Sequence, residues 1–354
     1  MNLSNNAFPG TVTIFPFKRP QMDLLRRSFY YLSRFLVIPL IPPEMLILSL
    51  TECCNLKCIT CSLGKEITKE NLSVDIKKIF NILHQAQEMK VKTVVLSGGE
   101  PFLVKEIFEI AEYIKMLKMT VCVTTNGFYN DQLLNKIAGS QIDHLHFSLD
   151  GLGRHHDEIR GKGSYDRLIH SVGLIRQLNP GQSIGFGTVI CSKNCNELFA
   201  MTKIADDLKV NTMNFIPLLA NNIDPQHSRK GRAYNQLWPE DKDLIDLERN
   251  FKMILGYQYK QLKIDLNPDF NLLYDYYSLK PISRKCFAGY KSMIITAPRK
   301  DDGKLTSNVF FCQDSCGNVY DITIKKAWHS KKAGEMRRIA KRCQNPCLQF
   351  CHYI

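Results

Sequence analysis

The stretch Ser49-Leu50-Thr51-Glu52-Cys53-Cys54-Asn55-Leu56-Lys57-Cys58-Ile59-Thr60-Cys61 decides the reading, because it joins the end of a β-rich apolar run, Met45 to Leu50, to a cysteine loop. Cys54, Cys58 and Cys61 make Cys-x3-Cys-x2-Cys, so three thiols leave one short loop. A free thiol titrates near ~8.5, and binding to iron or zinc holds it deprotonated, so closely spaced cysteines form a metal cage. Three ligands leave a position open, as a site that must admit something requires, whereas a structural site is closed by four protein ligands. A zinc reading would add Cys53, but adjacent cysteines reach one tetrahedral ion together only with difficulty. Cys53 reads instead as a small buried hydrophobe at the strand end.

Outward from this loop the chain alternates. Further β-rich runs are Thr93 to Ser97, Thr120 to Thr124, His144 to Leu149, Ile184 to Ile190 and Thr212 to Pro217. Helical patterns lie between them: Asn71 to Lys90 with Ser73 as cap, Lys105 to Leu117, Asp131 to Ala138, Ser164 to Leu178 and Cys195 to Leu208. The strand starts are 24 to 48 residues apart, the length of a strand plus a returning helix, which predicts a parallel sheet. Six units are too few for a closed eight-fold barrel. The expected α/β fold is an open, partial (β/α)6 TIM-like barrel with its chemistry at the strand C-termini. The expected division is an amphipathic extension over 1–44, the barrel over 45–220, a helical connector over 221–280 that includes a helix from Glu240 to Leu262, and a small cysteine-rich module over 281–354.

Composition agrees with a packed protein: of 354 residues, 44% are hydrophobic and 23% charged, which excludes a disordered or collagen-like chain. The apolar stretch Ser28 to Leu48 is interrupted by Arg34 and carries Pro39, Pro42 and Pro43, so it cannot run as a spanning helix. The start MNLSNNAFPG lacks the pattern of a secretory signal, and the expectation is a cytoplasmic protein with thirteen mostly reduced cysteines. The formal charge of +13 is concentrated in two segments, Phe15 to Arg34 and Lys325 to Arg342, which carry net +4 and net +7. Such segments attract nucleic acid, anionic lipid or an acidic carrier, or else form solvated helix faces. Arg26 to Ile41 in particular reads either as a membrane-surface segment, giving a peripheral contact, or as packing under the barrel.

Three more motifs follow the predicted strands: Gly98-Gly99-Glu100-Pro101 after the second, Thr125-Asn126-Gly127 after the third, and Ser148-Leu149-Asp150-Gly151 after the fourth, with Arg160-Gly161 beyond. Taken alone, each is also ordinary turn chemistry. Together with the cysteine loop, the Gly-Gly-Glu-Pro turn resembles the radical SAM superfamily. The resemblance implies a [4Fe-4S] cluster on Cys54, Cys58 and Cys61 whose open iron binds the amino and carboxylate groups of S-adenosylmethionine. It implies that Gly98, Gly99 and Glu100 contact that amino group, with Glu100 as an acceptor, that Ser148 and Arg160 hold the methionyl carboxylate, and that Asn126 lines the pocket. Thr60 departs from the family, where an aromatic residue before the third cysteine backs the adenine, so Phe102 or Phe128 is the candidate replacement.

The C-terminal cysteines resemble the SPASM or twitch extension of radical SAM enzymes. Cys286 precedes an expected hairpin of Ser292 to Ala297 and Asn308 to Cys312 with its turn at Asp302-Gly303. Cys312, Cys343 and Cys347 follow in the order of a four-ligand auxiliary [4Fe-4S] cluster. Cys351 competes for a position, Cys316 is a spare, and a zinc site from Cys343, Cys347, Cys351 and His352 is the alternative. Cys122, Cys191 and Cys195 read as packing residues, His144 and His146 as neighbours on one strand face with a core role, and His155 and His156 as loop residues.

The resemblance implies an oxidoreductase that reductively cleaves S-adenosylmethionine to a 5′-deoxyadenosyl radical, abstracts hydrogen from a peptide or sugar-like substrate, and uses the auxiliary cluster to accept an electron or ligate the substrate. Its electron donor would be a reduced flavodoxin- or ferredoxin-like protein. The alternatives are an enzyme acting on RNA or an anionic envelope precursor, and a non-enzymatic zinc-stapled binding protein. Catalytic acid and base residues are not legible in the sequence.

Overall fold

Strand β1 (Met45–Thr51) buries Leu46, Leu48 and Leu50 while Ile47 and Ser49 point the other way, the two-residue period of a strand with two different faces. The computed structural model describes residues 24–61, 74–219, 236–282, 284–301, 304–311, 315–343 and 348. After β1 come β2 (Thr93–Gly98), β3 (Thr120–Thr125), β4 (His144–Ser148), β5 (Ser183–Ile190) and β6 (Thr212–Pro217), each paired in parallel with the one before. Helices α2 (Ile76–Glu88), α3 (Ile107–Met116), α4 (Asp131–Ala138), α5 (Arg154–Arg160), α6 (Ser164–Leu178) and α7 (Leu198–Asp207) return the chain between them. The expected alternation is therefore present, as an open, mostly parallel sheet.

Local chemistry sets the boundaries. The Asp75 carboxylate accepts from Lys78 N and caps α2, so the helix begins at Ile76; Ser73, the expected cap, lies outside the described residues. Asn130 caps α4 through Leu133 N, and α4 and α6 have the bounds read from the sequence. His155 and His156 are in α5, not in a loop. Their short helix carries little apolar periodicity of its own and is held by contacts elsewhere, including an ion pair of His155 with Glu197.

Two expectations change beyond Pro217. The helix α8 (Asp241–Gly256) ends before Leu262, and the chain then forms β7 (Lys263–Asp265), which adds to β6 in parallel, followed by α9 (Phe270–Tyr277). Asp206 fixes that turn by accepting from the backbone N–H groups of Lys260, Gln261 and Leu262. At the other edge β8 (Ser292–Ile295) pairs in parallel with β1, and β11 (Asn308–Phe310) pairs antiparallel with β8, as the expected hairpin. The intervening residues make a small ribbon, β9 (Arg299–Asp301) with β10 (Lys304–Thr306); the turn residues 302 and 303 lie outside the description. With β12 (Ser315–Asn318) the order across the ten-stranded sheet is β12-β11-β8-β1-β2-β3-β4-β5-β6-β7.

The cysteine-rich end thus continues the barrel's sheet, and its Phe311, Cys316, Trp328 and Met336 belong to the same apolar core as Leu46 and Phe147. After α10 (Ile324–Trp328), α11 (Lys331–Arg342) carries Arg337, which is 2% exposed. Its guanidinium lies 4.8 Å from the Trp328 ring, 5.5 Å from Phe311 and 5.6 Å from Tyr290, and donates to the carbonyls of Gly289 and Trp328. The first helix, α1 (Leu24–Leu36), packs on this end: Tyr30 is buried against Phe287 and Tyr290, Arg34 donates to the carbonyls of Cys286 and Lys341, and Arg26 pairs with Glu44.

Candidate functional site

The cysteine loop leaves β1 beside the turn that leaves β2, and two backbone bonds lace them together. Gly99 N donates to Thr51 O at 2.7 Å and Glu100 N to Cys53 O at 2.8 Å. A Cβ on Gly99 would stand 2.1 Å from Cys53 O, closer than any side chain permits, and Gly98 has φ +126, so the close approach of the two loops depends on both glycines.

The other sequence-predicted residues converge on the same loop. Asn126 Nδ2 donates to Asn55 Oδ1 at 2.7 Å and lies 3.7 Å from Cys54 Sγ, while Asn55 Nδ2 donates to Phe128 O. Arg160 Nη1 is 4.0 Å from Cys58 Sγ, and Ile59 N donates to Ile159 O, which ties the loop to the end of α5. Ser148 closes β4 on the same sheet edge, opposite Gly187.

Glu100 is fully buried, and its carboxylate accepts from Phe102 N, Asn126 N and the Thr125 hydroxyl. Burial raises its pKa despite these bonds. The side chain is thus spent inside the protein, joining the turn after β2 to the turn after β3. Arg160 has a partner that the sequence did not single out: Nε pairs at 2.7 Å with Asp150, which is fully buried and also accepts from Val189 N. Burial works against the Arg160 charge, but Asp150 and then Cys58 outweigh it, so the guanidinium stays above its ordinary pKa. The visible signal for Asp150 was only a Asp-Gly turn.

Phe102 is 6% exposed and packs on Phe108 and Tyr129, in the core rather than beside the loop. Phe128 is half-buried at the Asn55–Asn126 link and remains the aromatic residue near the cysteines. Cys53 is buried at 2% exposure. Desolvation raises the pKa of the Cys54 thiol and pushes Cys58 up to about 11, with the Leu56 N–H and Arg160 respectively opposing it, so iron binding must displace protons.

Among the described residues no three His, Cys, Asp or Glu side chains surround one point closely enough to hold a single ion. The donor set on 54–61, three thiols on one loop beside a cationic Arg160, suits an iron–sulfur cluster, in which each thiolate binds its own iron. At the C-terminal end, Cys286 is buried beside Ala288 and Ala340, one turn before Cys343 at the C-cap of α11. Cys316 lies in the main core; Cys312, Cys347 and Cys351 lie outside the described residues. Cys122, Cys191 and Cys195 are buried packing residues whose thiols burial pushes upward.

One further cluster escaped the sequence reading. On β4–β6, Leu145, Phe147, Ile184, Phe186, Met213 and Phe215 form the helix-covered face, so His144, His146, Thr212 and Asn214 line the opposite, inner face. Gly185 and Gly187 make room for them, since a Cβ on Gly187 would lie 2.5 Å from His146 Nε2 and 3.5 Å from Asn214 Oδ1. Desolvation lowers His144 to about 3 and His146 to about 4, so both are neutral at pH 7. Asn214 Oδ1 is buried with no hydrogen-bond partner in the structure. The Gly-x-Gly inside a predicted strand was the available signal, because glycine there marks a close approach.

With this geometry in hand, comparison with known proteins is informative. The family description "Radical SAM superfamily" matches residues 48–198, which contain all of the motifs above except those of the C-terminal end. Curated relatives include a probable GTP 3′,8-cyclase of Saccharolobus solfataricus, 29% identical over 180 residues covering 50% of this chain and 58% of that protein. A protein of the same name from Metallosphaera sedula is 28% identical over 50% of this chain and 56% of its own. The match thus spans less than two thirds of the relatives' length. Among solved structures, Streptococcus suis SuiB bound to its precursor peptide SuiA superposes with a TM-score of 0.66 at 18% identity, covering 98% of this chain and 81% of SuiB. The enzyme anSMEcpe with bound AdoMet gives 0.64 at 17% identity, over 85% of this chain and 84% of that one. These two likenesses establish the fold.

Proposed function

Starting from a chain whose residues 48–198 belong to the radical SAM superfamily, we propose an enzyme that binds a [4Fe-4S] cluster through Cys54, Cys58 and Cys61 and S-adenosylmethionine beside it. The observation that carries this reading is the lacing of the cysteine loop to Gly99, Asn126 and Arg160, three turns of one sheet edge, at hydrogen-bond range. When bound, the cluster would supply the electron that cleaves S-adenosylmethionine to methionine and a 5′-deoxyadenosyl radical.

The chain's own residues position and exclude. Because the Glu100 carboxylate is occupied within the protein, the Gly98–Gly99 backbone and not that side chain is assigned to the cofactor's amino group. Asp150 holds Arg160 near Cys58, where its charge favours an anionic ligand set and the methionyl carboxylate, with Ser148 nearby on the same edge. Phe128 takes the adenine-covering role that Thr60 does not fill.

For the substrate we favour a peptide or sugar-like molecule recognised by hydrogen bonds, since His144, His146 and Asn214 give the inner face an uncharged, polar lining. The likeness of nearly the whole chain to SuiB, crystallised with a peptide, supports it. A nucleotide substrate is the second reading, motivated by the relatives named GTP 3′,8-cyclase. We assign Cys286, Cys312, Cys343 and Cys347, with Cys351 as the competing ligand, to an auxiliary cluster that aids oxidation, a role supported by the meeting of Cys286 with the end of α11.

The test is iron, sulfide and zinc analysis after anaerobic reconstitution, with 5′-deoxyadenosine formation under a low-potential reductant. Wild type should hold about eight irons and the Cys54→Ala/Cys58→Ala/Cys61→Ala variant about four, with no 5′-deoxyadenosine from the variant. Four irons falling to none would remove the auxiliary cluster. Zinc without iron in both proteins would overturn the enzyme reading.

A further inference from the structure

Helix α1 is docked inside out. Its polar stripe faces the protein: Ser33 and Tyr30 are buried, Arg34 binds the carbonyls of Cys286 and Lys341, and Arg26 pairs with Glu44. Its apolar stripe faces outward. Leu24 is 80% exposed, Phe35 71% and Leu25 62%, and Phe29, Tyr31, Leu32 and Leu36 are exposed with them. At 100° per residue Leu24, Leu25, Phe29, Leu32, Phe35 and Leu36 fall within one continuous sector, and Ile38 and Leu40 extend it past the helix end. A helix that spends its arginines on the protein and presents leucine and phenylalanine to the outside is the reverse of an ordinary surface helix. Contiguous exposed apolar area of this kind marks a surface meant to be covered.

The surroundings say what covers it. Lys341 donates to Phe35 O and its ammonium stands 5.3 Å from the Phe35 ring, so the apolar stripe borders the cationic helix α11. There Arg338, Lys341 and Arg342 are exposed, with Ile339, itself 42% exposed, among them. Arg27 is exposed on α1 itself. Apolar side chains flanked by lysine and arginine complement the acyl boundary and phosphate layer of an anionic bilayer. No described helix is long and apolar enough to cross a membrane, and α1 has 13 residues, so the geometry is that of a helix lying in the interface plane.

We propose that the α1 stripe, with the basic flank of α11, is a docking surface for an anionic lipid bilayer. It sits on the C-terminal end of the sheet's β8 side, away from the cysteine loop, and does not depend on the functional reading above. Docking there would hold the enzyme peripherally.

The test is flotation of the full-length, reconstituted protein with phosphatidylglycerol-containing vesicles, with phosphatidylcholine vesicles, and with a Leu32→Glu/Phe35→Glu variant. Both substituted residues are exposed, and circular dichroism with iron content checks that the variant folds. The expected result is recovery with anionic vesicles, a fall of about tenfold for the variant, and a fall of about fivefold for Arg338→Ala/Arg342→Ala or in 0.5 M salt. Equal recovery of wild type and Leu32→Glu/Phe35→Glu overturns the proposal. So does absence of wild-type flotation, whether light scattering then shows a dimer that the variant dissolves, meaning a second copy covers the stripe, or vesicle binding appears only on deleting residues 1–23, meaning that segment does.

Discussion

At the scale of single residues, the site is set by contacts that tolerate little. Gly99→Ala would drive a methyl into Cys53 O, and we expect a destabilisation of about 1–3 kcal/mol together with weakened S-adenosylmethionine binding, measured by denaturant unfolding and equilibrium dialysis. Asp150→Asn keeps the shape but removes the charge that holds Arg160; S-adenosylmethionine affinity should fall about tenfold while thermal stability changes far less, and an unchanged Kd would remove Arg160 from the cofactor site. His146 gives a pH signature. Its folded-state pKa is lowered to about 4 while the unfolded chain protonates near 6.5, so between these values only the unfolded state takes up the proton. Stability is then present above 6.5 and lost as the pH falls toward 4, by about 1.4 kcal/mol per pH unit for this one group. Melting curves of His146→Gln over that window should show a shallower acid slope than wild type. The three cysteines, the two glycines and Asn126 were legible as site residues because their types and spacing carry the chemistry. Asp150, Asn214 and the inward turn of Glu100 were not, because each depends on a partner that sequence does not place beside it.

At the scale of elements, periodicity was a reliable guide where one helix packs on one sheet face. The strands β1–β6 and the helices α4 and α6 have the bounds expected to within a residue or two, since a two-residue or 3.6-residue apolar repeat is local information. The short α5 and β7 were missed because they are held by Glu197 and by the Asp206 carboxylate, not by their own pattern. In the C-terminal end the organising element is α11, whose Arg337 sits among Trp328, Phe311 and Tyr290. Arg337→Ala removes those contacts and leaves the carbonyls of Gly289 and Trp328 without their donor, so we expect a loss of about 3 kcal/mol in denaturant unfolding. A loss below about 0.5 kcal/mol would mean that the aromatic cage closes without the cation.

At the scale of the whole molecule, one sheet connects everything. β8 lies against β1, the strand that delivers the cysteine loop, so a perturbation of the C-terminal end reaches the site through a shared ladder. We therefore expect Ile294→Pro, which breaks the β8 ladder opposite Ile47, to lower iron retained by Cys54, Cys58 and Cys61 as well as stability, read as iron content and melting temperature of one sample. The amino-acid sequence by itself determined the parallel α/β alternation, the three-thiol loop and the glycine turn facing it, because strand period, helix period and ligand spacing are properties of neighbouring residues. Only the tertiary structure decided that the cysteine-rich end joins the barrel's own sheet, that Glu100 turns inward, and that α1 carries its apolar face outward. Those outcomes rest on contacts between residues as far apart as Arg34 and Lys341, and an amphipathic pattern states that two faces differ without stating which of them the rest of the chain will cover.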